Sequence, residues 1–206
     1  MFLKKLLIIL IIYFSLICVS NAEMRHIQLK ATRVVRMQQT IDPNNIISCF
    51  WGQKDLGGTN GGGFYNYYRS IWSCDLSILA NATSVDRVLI NISTDPNSNS
   101  AFTARILSGS TFTNVEDCWQ LIDDGIVTDL NFPYGTNPPI ESSINGYLLN
   151  YLISGKLYFG ILNTSYNMPD DTYIYDFDID IIYTIPDVAK PFQVRNDVPI
   201  NGGTIG

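Results

Sequence analysis

Apolar and polar residues alternate with a period of two along most of the chain. The clearest case runs from Thr172 to Ile185. There Tyr173, Tyr175, Phe177, Ile179, Ile181, Tyr183 and Ile185 take one face, and Asp176, Asp178 and Asp180 take the other. A helix would scatter those positions around its axis, whereas a half-buried strand keeps them apart, so this stretch predicts a strand. The same alternation places Val88, Ile90 and Ile92 opposite Leu89 and Asn91, and sets Phe102, Ala104 and Ile106 on one side. Tyr68, Trp72 and Cys74 likewise alternate with Arg69, Ile71 and Asp75. Shorter β-rich runs cover Ile27 to Ala31, Ile46 to Trp51 and Lys156 to Leu162, with DPNN, DPNSNS and SYNMPDD as turn formers between runs. Many short strands with such punctuation predict an antiparallel β-sandwich or barrel.

Two segments depart from that rhythm. Asn114 is a helix cap for VEDCWQLIDD, which Gly125 stops, with Val115, Trp119 and Ile122 on one face. Ser142 to Ile153 carries Ile144, Leu148 and Leu152 at four-residue spacing and ends at Gly155. Both predict short helices on connections.

The first 22 residues read as an export signal. Lys4 and Lys5 precede an apolar run from Leu6 to Val19, and Ser20-Asn21-Ala22 supplies the small residues of a cleavage site. The run, about 14 residues, is short of the roughly 20 a spanning helix requires. Residues 23–185 are then the sandwich domain. Residues 186–206, with Pro186, Pro191 and Pro199, lose the pattern and read as a C-terminal arm or linker. The expected location is extracellular or at the cell surface, with no membrane insertion after cleavage.

The chain has 206 residues and a net charge of -6, which loss of Lys4 and Lys5 makes more negative. An acidic chain with few Lys and Arg has no electrostatic footprint for nucleic acid. Beyond the leader the cysteines are Cys49, Cys74 and Cys118. In an oxidising compartment they predict one disulfide and one free thiol, with all three pairings open. His26 is the only histidine and no CxxC occurs, so zinc sites and Cys-His or Ser-His couples are poor expectations. Asn81, Asn91 and Asn163 head Asn-x-Ser/Thr triplets, read as chance in a chain rich in those residues.

One phrase carries a resemblance. YYRSIWSCDLSILANATSVDRVLINIST, beginning at Tyr67, resembles a strand-turn-strand phrase of secreted bacterial jelly-roll modules. In those an Arg leads an "FDLSSIP" strand and a "GATI" turn follows. Arg69, then Cys74-Asp75-Leu76-Ser77, then Ala80 to Thr83 stand in those places, although Cys74 replaces the Phe and the Pro is missing. HIQLKATRVVRM is similar to the opening strand of such modules, and GKLYFGILN to part of their closing hairpin. The resemblance implies an all-β jelly-roll sandwich of carbohydrate-binding-like or galactose-binding-like type, and no sugar-binding residue carries over. Within the phrase, Asp75 and Ser77 are expected to close the strand end while Leu76 and Ile78 plug the sandwich.

The candidate binding residues lie in DLGGTNGGGFYNYYR. Its glycines predict a loop with little side-chain cover, from which Phe64, Tyr65 and Tyr67 offer faces for stacking on sugar rings. Asp55, Asn60 and Asn66 are the expected polar partners for hydroxyls. The run lacks the Lys-Ser/Thr ending of a phosphate loop. No cofactor is expected. A structural calcium is compatible with Asp170 and Asp171 or with Asp123, Asp124 and Asp129, while Asp176, Asp178 and Asp180 read as a solvated face. The expected function is a non-catalytic module binding a glycan or a surface protein in carbohydrate recognition or adhesion. The alternative is a structural subunit, a homo-oligomer joined through an edge strand or the C-terminal arm. A carboxylate-based glycan hydrolase is a weaker third reading.

Overall fold

The alternating runs become strands of two antiparallel sheets. A computed structural model describes residues 22–42, 45–50, 54–61, 63–95, 102–109, 111–132, 140–141, 148–149, 155–163 and 172–186. Met24–Ile185 is one compact unit. The leader and arm segments lie outside the described residues except for Ala22 and Pro186. The strands are β1 (Glu23–Lys30), β2 (Thr32–Asp42), β3 (Asn45–Cys49), β4 (Gly57–Gly61), β5 (Phe64–Asp75) and β6 (Ser84–Thr94). They continue as β7 (Phe102–Ile106), β8 (Ile126–Phe132), β9 (Ile140–Glu141), β10 (Lys156–Asn163) and β11 (Ile174–Ile185). One sheet has the order β1-β11-β6-β9; the other has β3-β2-β5-β10-β7-β8, with β4 also on β5. The all-β sandwich expected from the alternation is what forms.

The inward positions fill as the pattern requires. Val88, Ile90 and Ile92 of β6 are fully buried, together with Ile179 and Ile181 of β11 and Leu157, Phe159 and Ile161 of β10. Phe177 lies 5.0 Å from Phe159 and 5.8 Å from Trp72, ring to ring. Full burial of such side chains is worth roughly 1.5–3 kcal/mol each, so this cluster dominates the stability of the domain. The Trp72 indole donates to Ser70 Oγ at 3.0 Å, which satisfies its buried N–H.

A second apolar layer covers the other face of the β2-β5-β10 sheet. Helix α1 (Val115–Asp123) starts where Asn114 Oδ1 accepts the backbone N–H of Asp117, as the capping signal predicted. It buries Val115, Cys118 and Ile122 on Met37, Ile71 and Leu107. Gly160 of β10 makes room for it, because a Cβ there would sit 2.7 Å from Ile122 Cγ1. Of the second expected helix, Ser142 to Ile153, only buried Leu148 and exposed Leu149 fall among the described residues.

Four expectations are corrected by local geometry. Gly57–Gly61 forms strand β4, antiparallel to the start of β5, and is no open loop. Glycine has no side chain to pattern, but its N–H and C=O still enter a ladder, and the Tyr67 ring lies over Gly58, within 3.3 Å of where a Cβ would be. A register shift between Ile174 and Asp176 turns Ile174 inward, so Tyr175 stays 65% exposed and leaves the buried row. Leu76 and Leu79 plug the end of the sandwich, whereas Ile78 is exposed, because residues 77–79 form a 3-10 turn in which positions three apart share a face. Within that turn Asp75 Oδ1 accepts the Ser77 N–H at 2.9 Å, which holds the Asp75 carboxyl below its ordinary range.

The fourth correction concerns the disulfide. Cys49, Cys74 and Cys118 form no disulfide with one another. Cys74 belongs to the core between the sheets and Cys118 to the layer under α1, on opposite sides of β5. Cys49 reaches β5 level with Tyr68 through Gln38, six residues from Cys74, or about 20 Å along a strand. A disulfide needs Cα atoms within about 7 Å.

Candidate functional site

Strand β2 and the segment before β4 build a charged cluster beside the start of β11. Arg33 and Arg36 are three residues apart, which on a regular strand sends side chains to opposite faces. A register shift between Arg33 and Val35 adds one residue, so Arg33 aligns with Trp72 and Arg36 with Ser70, both on the side facing the other sheet. The two guanidiniums converge on Asp55. Arg33 Nε and Nη2 donate to its two oxygens at 2.6 and 2.8 Å, and Arg36 Nε and Nη2 at 3.1 and 3.3 Å. A fifth bond comes from the backbone N–H of Ile174 at 2.9 Å, while Arg33 Nη2 also donates to Ile174 O. Leu56 and Thr172 form a bridge beside it. Asp55 thus ties β2 and the entry to β4 to the start of β11.

Two cations hold that single carboxylate, and a third, Lys54, shares the Tyr173 ring with Arg36. Arg33 lies over the Trp72 ring at 4.6 Å, and Arg36 and Lys54 lie over Tyr173 at 5.6 and 3.9 Å. Asp55 is fully buried, yet the Arg33 and Arg36 side chains keep 33% and 27% of their surface in solvent. Their Nη1 amines bond no protein group among the described residues, and no carboxylate there pairs with Lys54. Local excess positive charge in a chain of net charge -6 attracts an anion.

The same face continues along the strands. Gln38 and Thr40 follow Arg36 at two-residue steps; opposite them stand Tyr68 and Asn66. Asn66 Oδ1 accepts from Gln38 Nε2 at 3.1 Å and from Thr40 Oγ1 at 2.7 Å, and its amide nitrogen has no partner among the described residues. Phe64 ends the row with 45% of its surface exposed. The reverse face presents Tyr65, 49% exposed, and Tyr67.

The predicted residues are therefore divided. Phe64 and Asn66 share the face with the arginines, Tyr65 and Tyr67 take the other, and Asn60 aligns with Tyr65 in β4. Asp55 is enclosed by its two arginines. Arg33, Arg36, Lys54 and Tyr173 went unnoticed in the sequence, because only the extra residue at Arg33–Val35 brings the two arginines to one side.

Acidic groups elsewhere have their own partners. Asp123 pairs with Arg69 at 2.8 Å, and Gln120 donates to Asp124. Asp170 and Asp171 lie outside the described residues, as does the side chain of Asp129. Among the described residues no group of three His, Cys, Asp or Glu side chains is placed to hold a metal ion, and no helix is long and apolar enough to cross a membrane. On the outer face of β11, Asp178 is only 8% exposed, against the expectation of a fully solvated row, and its Oδ1 has no hydrogen-bond partner among the described residues. Burial, and then the Asp176 charge, push its carboxyl up, with Lys30 at 4.0 Å opposing. No protein-family model matches the chain, and no curated protein matches it.

Proposed function

We propose that the protein is a non-catalytic extracellular module that binds carbohydrate or mediates adhesion, with the Phe64–Asn66 face as its binding surface. The observation that carries this reading is the exposed Phe64 ring two residues from an Asn66 amide whose donors meet no partner among the described residues, on a strand paired on both sides. A ring stacks on the C–H face of a pyranose, the amide meets its hydroxyls, and pairing on both edges removes the entropy cost of ordering a loop. The jelly-roll reading has its own support. If β2–β4 is set aside as an insertion, the sheets read β1-β11-β6-β9 and β5-β10-β7-β8, and the chain alternates between them at every step but β7 to β8. Export through the leader remains part of this proposal.

Affinity electrophoresis in gels containing neutral polysaccharides tests it. Retardation that disappears in Phe64→Ala, with the fold retained by circular dichroism, is expected. Unretarded migration in every gel overturns the carbohydrate reading. The reverse face is tested alongside with Tyr65→Ala/Tyr67→Ala.

A second reading rests on a different observation. β3 is a terminal strand of its sheet, and Ile46 and Ile47 on it and Phe50 just after it are exposed at 59%, 57% and 37%. An apolar sheet edge is a template for pairing with another chain, which favours a structural subunit. A light-scattering mass at that of one chain across the micromolar range excludes self-assembly.

A further inference from the structure

We propose that the Arg33–Arg36–Lys54 cluster is an oxyanion subsite, so that the module selects acidic saccharides carrying carboxylate or sulfate groups. This inference rests on the carbohydrate reading and names its substrate class.

The argument begins with charge. One buried carboxylate would balance one arginine, but here it holds two, with Lys54 beside them on the Tyr173 ring. Asp55 consumes Nε and Nη2 of each arginine and so fixes both planes, leaving the Nη1 amines free of protein bonds among the described residues. Each fixed Nη1 amine keeps two N–H donors for oxygens of a carboxylate or sulfate, and little entropy remains to be lost on binding. Position gives the second step. Arg36 and Phe64 lie on one face, separated along β5 by the interval from Ser70 to Phe64, about 20 Å. That span suits an oligosaccharide whose neutral part lies on Phe64 and Asn66 while an acidic substituent reaches Arg36 and Lys54. Finally, a chain of net charge -6 repels polyanions in general, so retention of an acidic polymer requires a local site.

Affinity gels containing dextran, dextran sulfate or polygalacturonate test the inference, with wild type compared to Lys54→Gln and Lys54→Glu at two salt concentrations. Lys54 makes no ion pair among the described residues and its contact with the Tyr173 ring is worth only about 0.5–1 kcal/mol, so both variants should stay folded and melt within a few degrees of wild type. The expected result is stronger retention by at least one acidic polymer than by dextran. Lys54→Gln should then weaken acidic binding about tenfold and Lys54→Glu abolish it, with dextran binding unchanged. The two acidic polymers distinguish carboxylate from sulfate as the preferred group. Equal retention by all three polymers overturns the subsite and leaves the carbohydrate reading intact. Acidic retention that ignores both Lys54 substitutions overturns it as well, as non-specific adsorption. Absence of retention in every gel sinks both proposals.

Discussion

Replacing Asp55 by Asn removes one negative charge from a site with almost no other change in volume. In the native protein that carboxylate accepts five hydrogen bonds, four of them from guanidiniums at 2.6, 2.8, 3.1 and 3.3 Å. In the variant one oxygen becomes an NH₂ group, which must point at arginine donors, and two cations lose their shared counter-ion. Removing one partner of a buried pair costs about 3–5 kcal/mol. Because Arg33 and Arg36 keep 33% and 27% of their side-chain surface in water, they recover some hydration, so the lower end, about 3 kcal/mol, is expected. For a domain of this size that loss lowers Tm by roughly 6–12 °C. Urea denaturation followed by circular dichroism measures it, at 0.05 and 0.5 M NaCl. The difference should persist at high salt, since a buried pair is poorly screened. A loss below about 1 kcal/mol, the range of exposed pairs, would refute the claim that Asp55 fastens β2 to β11.

Other perturbations test separate parts of the fold. Gly160→Ala places a methyl 2.7 Å from Ile122 Cγ1 and should destabilise by about 1–3 kcal/mol, or else α1 is not seated on β10. Ionised Asp178 costs stability because the folded chain holds its proton more tightly than the unfolded chain. That cost sets in as pH rises from the ordinary carboxylate range through the raised native value. Asp178→Asn should therefore raise the denaturation midpoint at neutral pH and flatten that segment of the profile, and an unchanged profile would contradict the assignment. Burial pushes the Cys74 thiol to about 12 and raises that of Cys118, so both should resist a thiol reagent at pH 8 until urea unfolds the protein. Dithiothreitol should leave the Tm unchanged, whereas a drop of several degrees would reveal a disulfide.

The sandwich was legible because burial imposes period two on any strand with one face inward, as at Val88, Ile90 and Ile92. Helix α1 was legible for a similar reason: Asn114 and the run from Val115 to Ile122 carry a cap and a face. What escaped has no pattern to read. A glycine strand such as β4 is defined by its partner alone. The extra residue at Arg33–Val35 and the shift at Ile174–Asp176 reverse the parity of everything before them, and neither has a side-chain signature. The proposed binding face was half legible for this reason. Its rings stood out, yet pairing divided them between two faces, and the cations joined Phe64 and Asn66 only through a β-bulge.

The division of labour between the sandwich and its β2–β4 edge follows from where apolar surface is left over. Between the sheets, and under α1, large side chains are buried almost completely, and removing any of them spends stability. At the edge the balance reverses. Ile46, Ile47, Phe50, Phe64 and Tyr65 each keep between 37% and 59% of their surface in water, the first two on the terminal strand β3 and the last two on β5, which is paired on both sides. Isolated exposed apolar residues need no explanation, but Ile46 and Ile47 on β3 and Phe64 and Tyr65 on β5 flank β2 and leave apolar surface on both faces of this edge that the fold itself does not use. Trimming Phe64 should therefore leave stability within about 0.5 kcal/mol of wild type, whereas trimming Phe159 should cost about 3–5 kcal/mol. If Phe64→Ala instead destabilised as much as Phe159→Ala, its ring would be a packing element and the case for a binding face at this edge would fail.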